Sequence, residues 1–194
     1  AASLAVISAL LLASGPGAAW AQLPADQTPD ELQGARITEK VGADVPLDVS
    51  FVNEEGENVE IGEYFGRDKP VVLVLIYFQC PQLCSLVLNG TVDVMKRVDE
   101  KPGEDFELIT LSFDPRETHH LAGQKKTSYL RDYGDMDVAG GWHFLTGEEP
   151  NIRKLADSVG FGYRWSDETN QYAHGAGIIV LTPDGRVSRY LRGI

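Results

Sequence analysis

Val71-Val-Leu-Val-Leu-Ile-Tyr-Phe-Gln-Cys-Pro-Gln-Leu-Cys84 sets two periodicities end to end. From Val71 to Phe78 every residue is apolar and nothing alternates, which fits a central strand covered on both faces, as in a parallel sheet. Beyond the cysteines the period changes. Cys84, Leu88, Val92 and Met95 recur at three- and four-residue spacing, one stripe of a helix. Pro81 falls where a first-turn proline is tolerated, because its missing N–H costs nothing there.

Outward from this stretch the pattern repeats. Upstream, Leu47 to Phe51 alternates like a strand, Asn53-Glu-Glu-Gly56 is turn chemistry, and Val59-Glu-Ile61 can return as its partner. Downstream, Phe106 to Phe113 reads as a second buried strand. Asp114-Pro-Arg-Glu117 then reads as an N-cap, an N1 proline and an N3 glutamate that open a helix toward Tyr133. Trp142 to Leu145 is a short strand, and Ile152, Leu155, Ala156 and Val159 form a helical stripe ended by Gly160. Gly177 to Leu181 and Val187 to Leu191 flank Thr182-Pro-Asp-Gly185, a hairpin signal. The expected fold class is α/β, a mixed sheet flanked by helices with added β-hairpins.

The chain has 194 residues, enough for one well-buried domain and too few for two of ordinary size. Its 17 basic against 29 acidic side chains give a net charge of -12, which argues against a nucleic-acid surface. Residues 1–21 differ from the rest. Leu4 to Leu12 is an apolar run of h-region length, too short for a bilayer of about 30 Å, and Ala19-Trp-Ala21 is an A-x-A cleavage pattern. The segment is therefore read as a signal peptide incomplete at its start, the alternative being an uncleaved anchor. Residues 22–44 are read as a polar linker or arm, and 45–194 as the folded domain, expected to lack its C-terminal covering helix. Export to the periplasm or the outer face of the cytoplasmic membrane follows, with no membrane insertion of the mature domain.

The only two cysteines are Cys80 and Cys84. A helix N-terminus favours thiolate over thiol, so sulfurs placed there are nucleophilic and good ligands. Positions four apart on a helix share a face, so both could meet one ion or each other. A stabilising disulfide is a poor explanation, since closing so short a loop constrains little of the unfolded chain. Two thiolates rarely complete a metal site, so the four histidines are weighed with them. His119 and His120 fall on the first turns of the helix after Asp114 and read as solvated. His143, in Gly141-Trp-His-Phe-Leu145, reads as a hydrogen-bonded structural histidine. His174 precedes a strand among small neighbours that would let its imidazole approach another loop.

Four blocks in order, Tyr77 to Cys84, Leu111 to Arg116, Trp142 to Gly147, and His174 with Val180 to Gly185, resemble the Sco/SenC family. The match runs from about Val45 to the last residue. The resemblance implies a thioredoxin-like fold with an added hairpin, and copper, Cu(I) or Cu(II), held by Cys80, Cys84 and His174. It also implies a metallochaperone, a binding protein rather than a catalyst, whose partner is the copper A domain of cytochrome c oxidase subunit II. The alternative is a thiol–disulfide oxidoreductase using Cys80 and Cys84 as its redox pair. Asp114 is expected to line the site. Departures are Ala173, where relatives often have Asp before the histidine, and Arg116-Glu-Thr-His-His120, where many carry a further Asp before the threonine. They bear on the tuning of the ligands more than on ligation.

Overall fold

The structure, a computed structural model, describes residues 34–80 and 83–192, apart from the side chains of residues 83–85. Its centre is the stretch read first. β3 (Val71–Ile76) lies in the middle of a five-stranded sheet, between β4 (Glu107–Ser112) and β8 (Ile178–Leu181), with β5 (Trp142–Leu145) and β9 (Val187–Leu191) at the edges. β3 pairs in parallel with β4 from Val71 opposite Glu107 to Ile76 opposite Ser112, and β4 pairs in parallel with β5. β8 runs antiparallel to β3 and to β9. Continuous apolar strands are what such burial demands: all of β4 is buried, and so is every residue of β3 except half-buried Val72. The expected α/β thioredoxin-like fold is the one observed.

The helices cover this sheet as their stripes require. α1 (Leu83–Met95) buries Val87, Leu88, Thr91, Val92 and Met95; the expected place of Cys84 on that stripe, and of Pro81 in a first turn, lies outside the described side chains and residues. α2 (His119–Tyr133) packs on β5 and α1 and ends at Gly134, whose φ of 89° only glycine adopts readily. α3 (Glu149–Ser158) buries Ile152, Leu155 and Ala156. Two hairpins stand outside the main sheet. β1 (Ser50–Val52) with β2 (Asn58–Glu60) was legible; β6 (Tyr163–Ser166) with β7 (Gln171–His174) was not.

Two expectations need correction. The helix expected to open at Asp114 begins at His119, with Thr118 as its N-cap. Asp114 and Glu117 do not cap it, because their carboxylates are engaged elsewhere. Asp114 accepts the N–H of Arg116 (3.0 Å) and its guanidinium (2.7 Å), while Glu117 turns inward. The stretch from residue 34, read as an arm, also lies against the domain. Ala35 and Ile37 are buried, Ile37 bridges to Phe161, and Thr38 donates to the Gly160 carbonyl at 2.8 Å. Gly160 is needed for this approach: its φ is +65°, and a Cβ there would fall 1.9 Å from Thr38 O.

His143 is the hydrogen-bonded structural histidine expected. Its Nε2 lies 3.1 Å from Glu107 Oε2, the other oxygen of Glu107 meets Arg67, and the imidazole lies tilted against Tyr64 with ring centroids 4.2 Å apart. Burial holds its pKa below the ordinary 6.5, against the pull of Glu107. A depressed native value means that the unfolded chain binds the extra proton more readily, so His143 favours the fold above about pH 6.5 and ceases to as pH falls below it. We expect thermal stability to drop from pH 7 to 5 and the drop to be smaller in His143→Gln. Parallel pH profiles of the two proteins would refute this assignment.

Candidate metal centre

β3 ends at Ile76 and the chain then turns. The Cys80 N–H meets the Tyr77 carbonyl at 3.3 Å, and α1 starts at Leu83. Cys80, half-buried against the core, thus lies in a turn ahead of the helix, while Cys84 is the second residue of α1. The sequence reading had placed the two on one helical face four positions apart. They stand just beyond the buried strand and around the helix start, as expected, but Cys80 lies in a turn ahead of the helix and only Cys84 in its first turn. That placement keeps the favourable field of the helix N-terminus near both residues.

The last residue of β7 is His174, paired with Tyr163 across the hairpin. Tyr77, whose carbonyl holds the Cys80 amide, has its ring 6.0 Å from the His174 imidazole in an edge contact. The cysteine turn and the histidine are therefore neighbours through one side chain, although 94 positions separate Cys80 from His174 in the sequence. Phe113 (5.0 Å) and Phe161 (6.1 Å) complete the apolar surroundings of the ring. Burial lowers the pKa of His174, opposed by the Gly175 carbonyl, a shift toward the neutral imidazole, the form that ligates a metal. Its Nδ1 lies 2.7 Å from that carbonyl, which can only accept. The proton is thereby assigned to Nδ1 and the lone pair to Nε2.

A cleft of about 550 Å³ opens beside this turn, lined by Tyr77, Gln79, Asp114, Arg116 and Trp165 among others. Asp114 is among the residues that line this cleft. Burial pushes its carboxyl up, but the hydrogen bonds and charge of Arg116 outweigh burial and hold it below the ordinary carboxylate value. Tyr172 donates to it at 3.5 Å, and the Arg116 guanidinium lies 4.5 Å over the Trp165 ring. His119 and His120 are elsewhere in the sense that matters. They open α2, their rings 4.0 Å apart and His119 against Gly56. Among the described residues no three His, Cys, Asp or Glu side chains gather as a metal site, and the Cys84 side chain is not among them.

Two functional features escaped the sequence reading. The β6–β7 hairpin that carries His174 has a signal that could have revealed it: Tyr163-Arg-Trp-Ser166 and Gln171-Tyr-Ala-His174 flank a polar turn, with Asn170 at φ 51°. The other is Glu117. Its carboxylate accepts the backbone N–H groups of Phe78 and Gln79, both at 2.7 Å, and the hydroxyl of Ser112. Nothing local in the sequence distinguishes it from a helix-opening glutamate.

The sequence and the fold have counterparts. The SCO1/SenC family model matches residues 38–194. The Bos taurus mitochondrial protein SCO2 homolog is 25% identical over 93% of this chain, which spans 66% of that protein's length. A crystal structure from Aquifex aeolicus VF5 is 26% identical, with a TM-score of 0.69 over 80% of this chain and 86% of that one. Bradyrhizobium japonicum ScoI, solved with copper bound, shares the fold at 22% identity and a TM-score of 0.58, over 79% of this chain and 90% of that one. With the family model covering the whole sheet and both blocks of the centre, the chain belongs to the SCO1/SenC family.

Proposed function

We propose that this chain is a copper metallochaperone that holds copper on Cys80, Cys84 and His174 and delivers it to the copper A centre of cytochrome c oxidase subunit II. The observation that carries the reading is the His174 imidazole. Burial favours its neutral form, the Gly175 carbonyl directs the proton to Nδ1, and the ring sits against the tyrosine whose carbonyl holds the Cys80 amide. Soft thiolates select Cu(I), and imidazole suits either copper state. Three protein ligands leave an open position at which an acceptor can attack before the donor lets go, whereas a structural zinc site would be closed by four. Copper in the Bradyrhizobium japonicum structure supports the choice of cargo. The apolar run and A-x-A pattern within residues 1–21 support an exported protein, working where an oxidase presents its copper A domain. Among the described residues no helix is long and apolar enough to cross a membrane.

The competing reading is dithiol exchange by Cys80 and Cys84, favoured by their position around the start of α1. His174 separates the two, because dithiol exchange has no need of an imidazole. Copper-loaded protein mixed with an apo copper A domain is expected to lose its own absorption as the acceptor gains its purple bands. His174→Ala should load copper at least about tenfold more weakly, as loss of groups that merely support a ligand costs 10–100-fold. If reduced, metal-free protein instead reduces an acceptor disulfide quickly, and His174→Ala does so equally well, the oxidoreductase reading replaces the chaperone.

A further inference from the structure

Glu117 is 7% exposed and, among the described residues, makes no ion pair. Taking a carboxylate out of water without a cation is costly, and burial pushes its pKa up despite the three donors that face it. What offsets that cost is its set of hydrogen bonds. Here they go to Phe78 and Gln79, the two residues that lead into Cys80. The β3–β4 ladder stops at Ile76 opposite Ser112, with one further bond from Phe113 N to Ile76 O at 2.8 Å. Past that point, among the described residues, no backbone carbonyl of the sheet is paired with the amides of Phe78 and Gln79. The two carboxylate oxygens accept them, one each, and Ser112 fixes the carboxylate from the end of β4.

We propose that Glu117 is a positioning residue: its carboxylate clamps two consecutive peptide planes and so sets where the Cys80 sulfur stands relative to His174. The inference rests on the reading of Cys80, Cys84 and His174 as the copper ligands. Charge-assisted bonds of 2.7 Å to neighbouring amides leave the intervening backbone little freedom. A metal centre of three ligands needs such definition, because displacements of about 0.5 Å already degrade it. Reach matters as much as charge. Glu117 spans from the segment after β4 to the turn after β3, and an aspartate, one methylene shorter, cannot meet both amides from the same backbone position.

The test compares Glu117→Gln, which keeps length and loses charge, with Glu117→Asp, which keeps charge and loses length. Cu(I) affinity is measured by competition with a chromophoric chelator, and the Cu(II) form by its thiolate charge-transfer band and paramagnetic resonance. Both variants are expected to bind Cu(I) about 10–100-fold more weakly, with shifted Cu(II) spectra. Aspartate behaving as wild type would show that charge alone matters and overturn the proposal. So would lowered melting temperatures with unchanged affinity and spectra, the signature of a purely structural group. Should the wild-type protein itself take no copper, the ligand assignment fails, and the clamp is read from the alkylation rate of the Cys80 thiol against pH in a Cys84→Ser background. A profile moved by both Glu117 variants sustains it, and an unmoved one ends it.

Discussion

Cys80→Ala is expected to bring the copper affinity of the reduced protein down by more than about 100-fold and to remove the intense sulfur-to-copper absorption of its Cu(II) form. The magnitude follows from a lower bound: groups that only orient a ligand are worth 10–100-fold, and a thiolate bonded to the metal is worth more. Loss of one sulfur leaves one thiolate and one imidazole, a set with far less preference for Cu(I). The fold should survive, because Cys80 lies in the turn after β3 rather than in its ladder, half-buried, and alanine keeps its Cβ. Circular dichroism and melting temperature therefore serve as the control. Oxidation gives an independent arm, since a Cys80–Cys84 disulfide has no thiolate to offer and should block uptake in the wild type. An alanine variant that retained one copper with the wild-type spectrum would strike Cys80 from the ligand set.

Sequence revealed most where one residue type repeats on one face. The apolar run from Val71 and the stripe through Leu88, Val92 and Met95 announced β3 and α1, because burial on both faces or on one helical side leaves a periodic trace. Of the proposed centre, the cysteines stand out by their local spacing, and His174 is singled out only through resemblance. The structural reason for His174 is not local. Tyr77, Phe113 and Phe161 surround it from three separate segments, and no window of sequence holds them together. Asp114 and Glu117 misled for a related cause. Both have the composition of a helix start, but other partners displace the capping geometry, the neighbouring Arg116 for Asp114 and the distant Phe78–Gln79 backbone for Glu117. The arm failed likewise: Ile37 looks like an isolated apolar residue in polar text until Phe161 is set beside it.

Phe113 joins the core to the centre, and Phe113→Ala should have the largest effect on stability. The ring is fully buried and touches Tyr77 (5.5 Å), Phe161 (5.5 Å), Tyr163 (4.8 Å, stacked), Tyr172 (5.4 Å) and His174 (5.0 Å). Truncating such a side chain removes its transfer free energy and leaves a cavity that rigid aromatic neighbours cannot fill, a loss of about 3–5 kcal/mol. For a domain of this size that corresponds to a fall in melting temperature of roughly 6–20 °C. Two further consequences separate this ring from an ordinary core residue. Water admitted beside His174 relieves the desolvation that keeps its pKa low, so the imidazole should titrate nearer its ordinary value, as followed by its ring-proton chemical shifts. Copper binding should then weaken more steeply on going from pH 7 to 6 than in the wild type, because protons compete for Nε2. Phe113→Leu, which retains part of the apolar volume, should cost only about 1–2 kcal/mol and remain folded for these measurements. A leucine variant with an unshifted His174 titration and unchanged pH dependence of copper binding would show that the ring stabilises the sheet without shaping the centre.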